Sequence, residues 1–298
     1  MSARILSLVP AATDWVVELG CAEQLVGVTH ECDVPAGLHP EVAVTPAVAA
    51  DLGDPAAVDA AVTASAQAGQ PLYRLDPDQV ARLAPTVVLT QELCEVCAVS
   101  PATVEAVAAT AGDPQVTTLR GVTLEGVLED ALRVGSALGA FERAAALVAR
   151  LRGRLDTVAE AVRDRARPPV AVVEWPEPVW VAGHWVPDQI AAAGGVCVAG
   201  EPGAPSRRGS WAELDAAAVT VLGPCGYGLD EVVAHGPSHV PGDVAPLWAM
   251  DADRELSRPS AGAVTGVETL ARILHPEVVG PPDPASARLL RPSPVPLA

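Results

Sequence analysis

Two short segments combine His, Cys and acidic residues, the residue types that ligate metal ions. His30, Cys32 and Asp33 follow one predicted strand, and Cys94 and Cys97 follow another. Thiolate and imidazole groups in this mixture ligate zinc or iron. The Cys94-x-x-Cys97 spacing also suits a redox pair, and buried cysteines often act as small apolar side chains. The sequence therefore leaves three interpretations of these cysteines open: plain core packing, a Zn or Fe site, and a thiol redox pair.

A third segment is rich in aromatic rings. Gly183, His184 and Trp185 follow closely on Trp175 and Trp180. Indole and imidazole rings combine a flat face with one polar atom, which suits a large, flat and partly polar ligand. The alternative is a core cluster of tryptophans with a hydrogen-bonded histidine. As a neutral imidazole, His184 is also a candidate metal ligand.

A glycine-containing turn follows the predicted strand at residues 219–222. Its residues Cys225 and Gly226 lie where the backbone could approach a ligand closely, although glycine equally permits a plain turn. The sequence contains no hydrolase elbow, phosphate loop or dinucleotide fingerprint. We therefore expect a binding protein without catalytic residues.

These segments depend on predicted strands that alternate with helices in both halves of the chain. Residues 5–9, 25–28 and 87–89 are predicted strands of the first half, and residues 170–175 and 219–222 of the second. Such alternation indicates parallel α/β sheets. Between the halves, apolar residues recur every three or four positions over residues 123–166, which predicts one long helix that Gly135 and Gly139 could kink or split.

The predicted fold is therefore α/β, with two Rossmann-like lobes joined by a long rigid helix. Open sheets of this kind bind ligands beyond the carboxyl ends of their strands, which predicts a ligand cleft between the lobes. The predicted boundaries are an N-terminal α/β lobe at residues 1–122, a linking helix at 123–167, a C-terminal α/β lobe at 168–277 and a Pro-rich flexible tail at 278–298.

The charge and hydropathy of the chain argue against two classes of partner, nucleic acids and a membrane that the chain would span. The formal net charge is -18, and binding to nucleic acid needs Lys and Arg to neutralise phosphates, so we expect no nucleic-acid partner. No segment is apolar enough to predict a membrane span. Pro10, Asp14 and Glu18 interrupt the apolar start of the sequence. This pattern does not match a secretory signal, and it predicts a cytoplasmic protein.

Several motifs resemble those of helical-backbone solute-binding proteins, and within that group the cobalamin-binding members. The resemblance starts with residues 5–13 (ILSLVPAAT) and 25–28 (LVGV). It continues through residues 83–89 (LAPTVVL), residues 182–185 (AGHW) and Trp211 to residues 270–276 (LARILHP). It covers nearly all of the chain except the tail.

The resemblance implies two lobes that close by a small angle around a cleft ligand, with cobalamin as that ligand and no catalysis. It is closest to a cytoplasmic subgroup without an export signal, which argues against delivery to an ABC permease. We expect Trp180 and Trp185 to contact the corrin ring and His184 or His30 to lie near the cobalt. The predicted ligand-binding residues are Pro10, Ala11, Ala12, Thr13, His30, Gln91, Trp180, Gly183, His184, Trp185, Cys225, Gly226 and Arg258. The predicted metal ligands are His30, Cys32, Cys94, Cys97 and His184.

Overall fold

The chain folds into two α/β units, each with its own sheet. A computed structural model describes residues 3–47, 53–93, 99, 101–244 and 246–293. The first unit comprises Met1–Ala50, Ala60–Gly121 and Glu125–Arg150, and the second comprises Asp51–Asp59, Val122–Leu124 and Leu151–Ala298. The elements in the first part of the chain are β1 (Ile5–Ser7), α1 (Pro10–Glu18), β2 (Leu25–Thr29), β3 (Glu41–Pro46), α2 (Pro55–Gln67), β4 (Tyr73–Leu75), α3 (Pro77–Leu83), β5 (Val87–Gln91), α4 (Pro101–Thr110), β6 (Gln115–Leu119), α5 (Leu124–Ala137) and α6 (Phe141–Val162).

The first sheet has the strand order β4-β3-β2-β1-β5-β6. All of its pairs are parallel except β3 with β4. Its central strands are short buried runs, because helices cover both faces of a parallel sheet. Leu6, Val80, Leu83 and Val88 pack in its core. Gly27 allows close packing in β2, since a Cβ there would lie 2.7 Å from Leu6 Cδ1 and displace that side chain.

The carboxyl ends of these parallel strands carry three of the predicted ligand-binding residues. Pro10 begins α1 just after β1, His30 follows β2 directly, and Gln91 is the last residue of β5. Parallel strands end at the same edge of a sheet, so the fold brings these sequence-distant positions to one edge.

The single long helix predicted for residues 123–167 is two helices, α5 and α6. Gly139 lies between them in the left-handed region with φ 65°, and Ala140 N–H donates to Gly135 O at 2.7 Å. A Cβ on Gly135 would lie 2.4 Å from Ala144 Cβ, so this glycine lets the two helices pack closely. The apolar periodicity continues through the turn because both helices bury one face. The boundary between the two units falls within the 22 residues of α6.

The second unit contains a seven-stranded sheet with the order β10-β8-β7-β11-β12-β13, and β9 pairs with β7. Strands β9, β7, β11 and β12 are parallel, while β8 and β13 run antiparallel to their neighbours. The buried core includes Val173, Val181, Leu222, Val232 and Leu247. The elements of this part of the chain are β7 (Pro169–Pro176), β8 (Val179–Val181), α7 (Val186–Ala192), β9 (Val196–Cys197), β10 (Arg207–Arg208), β11 (Val219–Leu222), α8 (Leu229–His235), β12 (Leu247–Met250), α9 (Ala252–Glu255), α10 (Gly262–Leu274), α11 (Pro276–Val279) and β13 (Ala287–Arg291).

The predicted flexible tail contains regular structure. Strand β13 pairs antiparallel with β12, with Met250 opposite Ala287. Arg291 fixes this end of the chain, since its guanidinium donates to the carbonyl oxygens of Pro237 and Val240, each at 3.0 Å. The high proline content that indicated disorder lies around β13 and not in it.

The helices of the described residues are too short or too polar to span a bilayer.

Candidate ligand-binding residues

The start of α1 is packed into the first unit. Pro10 is half-buried, whereas Ala11, Ala12 and Thr13 are each no more than 2% exposed. Thr13 Oγ1 lies 2.8 Å from Ser7 Oγ and 3.0 Å from Cys32 Sγ. Contact of these four residues with a ligand stays a prediction, and Pro10 is the most accessible of the four. The first helical turn packs on the sheet because β1 leads into it after only two residues.

His30 is held at the end of β2 by its neighbours. Its Nδ1 lies 3.3 Å from Val44 O, and its ring centroid is 6.2 Å from that of Tyr73. The side chain keeps 30% of its surface exposed, with Nε2 3.7 Å from a Glu31 carboxylate oxygen. Pro10, Glu31 and Tyr73 line a narrow crevice at this edge. His30 is thus accessible to a ligand on one side of its ring.

The predicted Cys/His metal cluster gains no support from the described residues. Cys94 and Cys97 lie outside them. The sulfur of Cys32 lies 3.2 Å from Thr29 Oγ1. Across residues 3–47, 53–93, 99, 101–244 and 246–293, no group of three or more His, Cys, Asp or Glu residues could hold a metal ion. The thiol of Cys32 is instead part of a hydroxyl network.

Gln91 is half-buried at the end of β5, and the next residue continues the sheet. Glu92 N–H donates to Leu119 O at 3.1 Å, and its carboxylate lies 3.3 Å from Arg120 Nε. Both side chains of this ion pair are more than half exposed. Solvent therefore screens the pair, which contributes little to stability.

The start of α2 accepts hydrogen bonds from two of the tryptophans of the second unit. Trp175 and Trp180 face each other across β7 and β8. Trp175 Nε1 donates to Pro55 O at 3.0 Å, and Trp180 Nε1 donates to Asp59 Oδ1 at 3.3 Å. The other Asp59 oxygen accepts from Arg208 at 2.9 Å, and this guanidinium lies 5.7 Å from the Trp180 ring centroid. Both indole N–H groups are used within the protein, so Trp180 offers a ligand only its ring.

The contacts of α2 were missed at the level of sequence. Asp54 followed by Pro55 is a helix-start signal, and Asp54 Oδ1 does accept from the N–H groups of Ala56 and Ala57. That signal locates the helix but does not indicate that its first turn packs on the tryptophans.

Trp185 is a core residue, and its contact with a flat ligand stays a prediction. Its side chain is 5% exposed, and its Nε1 donates to Leu256 O at 3.0 Å. A buried indole must satisfy its N–H, and a carbonyl of the turn after α9 does so. The alternative of a core tryptophan applies to this residue.

His184 precedes Trp185 and has a different environment. Its backbone lies in the left-handed region with φ 51°, a conformation that costs a residue other than glycine about 1–3 kcal/mol. Its N–H donates to Ala204 O at 2.6 Å, and its carbonyl accepts from Gly203 N–H at 2.9 Å. Burial lowers the pKa of the imidazole, so the neutral form predominates at pH 7. Among the described residues, no side-chain hydrogen bond or ion pair involves this imidazole.

Gly183 allows the His184 loop to pack closely on residues 204–206. A Cβ at this position would lie 2.5 Å from Ala204 O and 2.6 Å from both Pro205 C and Ser206 N. Its own N–H donates to Ser206 Oγ at 3.1 Å. The surrounding backbone therefore determines the loop conformation that presents His184.

The turn with Cys225 and Gly226 follows β11 as predicted and contacts a second turn. Gly226 has φ 79°, and its N–H lies 3.4 Å from Ser257 Oγ. Arg258, one residue further on, is 7% exposed and donates to both carboxylate oxygens of Asp253, at 3.0 and 2.5 Å. This buried pair uses the guanidinium, so the prediction that Arg258 binds the ligand directly is not supported by its environment. Gly226 itself is exposed.

An open groove of the second unit contains none of the predicted ligand-binding residues. It has a volume of about 480 Å³ and is lined by proline residues together with Trp211, Glu177 and His239. His239 Nδ1 lies 2.7 Å from Glu177 Oε2.

Comparison with known proteins assigns the chain to a family. The family model described as periplasmic binding protein matches residues 5–220, which is most of the chain. The chain belongs to the periplasmic binding protein family. This family binds solutes and does not catalyse reactions, so the prediction of a binding protein without catalysis is confirmed.

Solved structures of periplasmic binding proteins share the fold. The apo heme-binding protein RhuT from Roseiflexus sp. RS-1 is 22% identical with a TM-score of 0.65, covering 94% of this chain and 100% of its own. A heme-binding protein from Pseudomonas aeruginosa is 19% identical with a TM-score of 0.68, covering 98% and 100%. The vitamin B12-binding protein BtuF of Vibrio cholerae is 16% identical with a TM-score of 0.65, covering 91% and 95%. Comparison with curated protein sequences gives no match.

These findings confirm the predicted α/β fold with two sheet-containing lobes, and they correct the predicted location. The family and the similar structures are periplasmic proteins. The cytoplasmic prediction, and with it the cytoplasmic subgroup, is therefore wrong. It depended on the residue pattern around Pro10, which determines the start of α1 in this binding protein.

Proposed function

We propose that this periplasmic binding protein binds a corrinoid of the cobalamin type. The observation that carries the proposal is the imidazole of His184. It is neutral and half-exposed, it packs beside the Trp185 ring with the centroids 5.8 Å apart, and it makes no side-chain hydrogen bond or ion pair among the described residues. A neutral imidazole nitrogen is a suitable axial donor for a metal ion such as the cobalt of a corrin.

The backbone around His184 supports this role. A left-handed histidine is unfavourable by itself, and such conformations persist where the surrounding structure imposes them, often at ligand sites. Here the contacts of Gly183 and the two backbone hydrogen bonds of His184 impose it. A fixed donor loses little entropy when it binds a metal-containing ligand.

The charge pattern favours a corrinoid over a heme. Heme carries two propionate groups, whereas most side chains of a cobalamin are neutral amides. The chain has a net charge of -18, and the nearby cations Arg208 and Arg258 are paired with Asp59 and Asp253. Anionic ligands would meet repulsion and no free guanidinium at these two positions. Neutral amides can use backbone N–H and carbonyl groups instead.

Periplasmic binding proteins normally work with an ABC permease, and we propose that this one does so as well. The sequence-based expectation that no permease is involved depended on the cytoplasmic prediction. That expectation loses its basis with the family assignment.

Titration with cobinamide, cyanocobalamin and hemin tests the proposal. We expect saturable binding of a corrinoid with a change in its visible absorption, and weaker binding of hemin. His184→Ala should weaken corrinoid binding at least tenfold, which corresponds to about 1.4 kcal/mol. His235→Ala is the matched control because His235 ends α8, which is a different element from the His184 loop.

Two outcomes would overturn the proposal in different ways. If neither corrinoid binds at millimolar concentration, the ligand class is wrong. If a corrinoid binds equally well to wild type and His184→Ala with the same absorption spectrum, the corrinoid assignment stands and the role of His184 is wrong.

A further inference from the structure

Glu255 is a buried carboxyl group with an incomplete set of partners. It ends α9 and is 5% exposed. The side chains of Ser286 and Thr269 hydrogen-bond to it, but its Oε2 has no hydrogen-bond partner among the described residues. A buried carboxylate needs a cation or several donors to remain ionised. The neutral acid needs fewer partners.

The charged groups around Glu255 also favour its neutral form. Asp251 and Glu268 both oppose its ionisation, and burial is the largest cause of the raised pKa, about 7. The nearby cations are engaged elsewhere, because Arg154 pairs with Glu268 and Arg258 pairs with Asp253. The other charged residues of its own turn are Asp251, Asp253, Arg254 and Arg258. From the elements packed around it, Glu268 and Thr269 of α10 and Ser286 before β13 act on its carboxyl group, Gln189 of α7 bonds to its carbonyl oxygen, and Arg154 of α6 pairs with Glu268.

The turn that contains Glu255 also accepts hydrogen bonds from the segment that contains His184. Glu255 O accepts from Gln189 Nε2 at 2.8 Å, and Leu256 O accepts from Trp185 Nε1 at 3.0 Å. Gln189 is fully buried and also donates to Ala263 O at 2.8 Å. A change in the backbone of residues 255–256 therefore acts directly on α7 and on the residue next to His184.

We propose that Glu255 is a proton-operated latch, which holds the 252–258 turn against α7 when protonated and loosens that turn, and with it the His184 loop, when ionised. Ionisation places a negative charge between two acidic neighbours and leaves Oε2 without a donor. Opening the turn relieves this penalty by admitting water. The latch concerns the protein itself and does not depend on the identity of the ligand.

The raised pKa of Glu255 determines how the stability of the folded protein changes with pH. The pKa is raised in the folded protein, from 4.5 to about 7, so the folded state holds the proton more tightly than the unfolded state. The contribution of Glu255 to folding stability is fully favourable below pH 4.5. It is lost progressively as the pH rises to about 7, and the stability is level above that value.

Hydrogen–deuterium exchange of the ligand-free protein tests the latch, with Glu255→Gln as the neutral and isosteric variant. We expect equal exchange in residues 184–193 and 252–258 of both proteins near pH 5. At pH 8, we expect faster exchange in wild type, by up to about 300-fold. That ratio corresponds to the pKa change from 4.5 to about 7. Comparing both proteins at one pH cancels the intrinsic pH dependence of exchange.

Thermal unfolding provides the second measurement. Glu255→Gln should unfold near the wild-type temperature at pH 5 and above it at pH 8, whereas the exposed control Glu277→Gln should follow wild type at both. A difference between Glu255→Gln and wild type that is the same at both pH values would overturn the latch. So would a pH-dependent difference in exchange that is absent from residues 184–193. Neither result depends on whether a corrinoid binds.

Discussion

Replacing Gly183 by alanine should disrupt the loop that presents His184. The new Cβ would lie 2.5 Å from Ala204 O and 2.6 Å from the backbone atoms of Pro205 and Ser206. All three are backbone atoms, so no rotamer change can relieve the contact. The loop must move away from residues 204–206 as a unit.

The expected loss of stability follows from the contacts and hydrogen bonds that this movement breaks. Overpacking of a close contact costs about 1–3 kcal/mol. The displaced loop also loses the bond from Gly183 N–H to Ser206 Oγ and the bond from His184 N–H to Ala204 O, each worth about 1 kcal/mol. We expect Gly183→Ala to lower the free energy of unfolding by about 3–5 kcal/mol.

Urea denaturation and cobinamide titration measure the two consequences. The urea midpoint of Gly183→Ala should fall by about 1–2 M, and corrinoid affinity should fall with it. Gly153→Ala is the matched control. Gly153 lies within α6, where an added Cβ would meet no atom within 4 Å, and alanine in a helix is more stable than glycine by about 1 kcal/mol. If Gly183→Ala unfolds at the wild-type midpoint, the close contact with residues 204–206 is not present in the protein.

Three other substitutions test separate features. His184→Gly should raise thermal stability by about 1 kcal/mol by relieving the left-handed backbone, while weakening corrinoid binding; lower stability would contradict the strain. Asp130→Ala should cost about 2–4 kcal/mol in chemical denaturation, because the backbone N–H groups of residues 120 and 121 lose the fully buried carboxylate that accepts from them, while the partly exposed Arg133 remains solvated. Arg291→Ala should cost about 2 kcal/mol and increase proteolysis near residues 237–244, whereas unchanged proteolysis would show that Arg291 does not hold this segment.

Much of the sheet framework was predictable because its strands are short, buried and apolar. The predicted strand at residues 219–222 coincides with β11, and those starting at residues 25 and 87 correspond to β2 and β5. Helix length was less predictable, since the apolar period passes through Gly139 without interruption, and Gly135 and Gly139 indicated only that the helix could kink or split. The turn there depends on the packing of Gly135 against Ala144, which involves two positions nine residues apart.

The site residues, too, were predictable only in part. Their residue types identified the segment around His184, and the alternation of strands and helices predicted that the candidate residues follow strands, as Pro10 and His30 do and as Gln91 does at the end of β5. Residue type did not distinguish His184 from Trp185, although they are adjacent. The imidazole is half-exposed and makes no side-chain hydrogen bond within the described part of the chain, whereas the indole is buried with its N–H bonded to Leu256 O.

The sequence by itself determined the fold class, the strand ends that carry polar residues, and a binding function without catalysis. These properties depend on local periodicity and on residue chemistry, which are encoded within short segments. Only the tertiary structure decided which candidate side chains remain available, because burial and pairing depend on segments far apart in the chain. Asp59 accepts the hydrogen bond of the Trp180 N–H, and Asp253 pairs with Arg258. The backbone of residues 204–206 fixes His184 in its conformation.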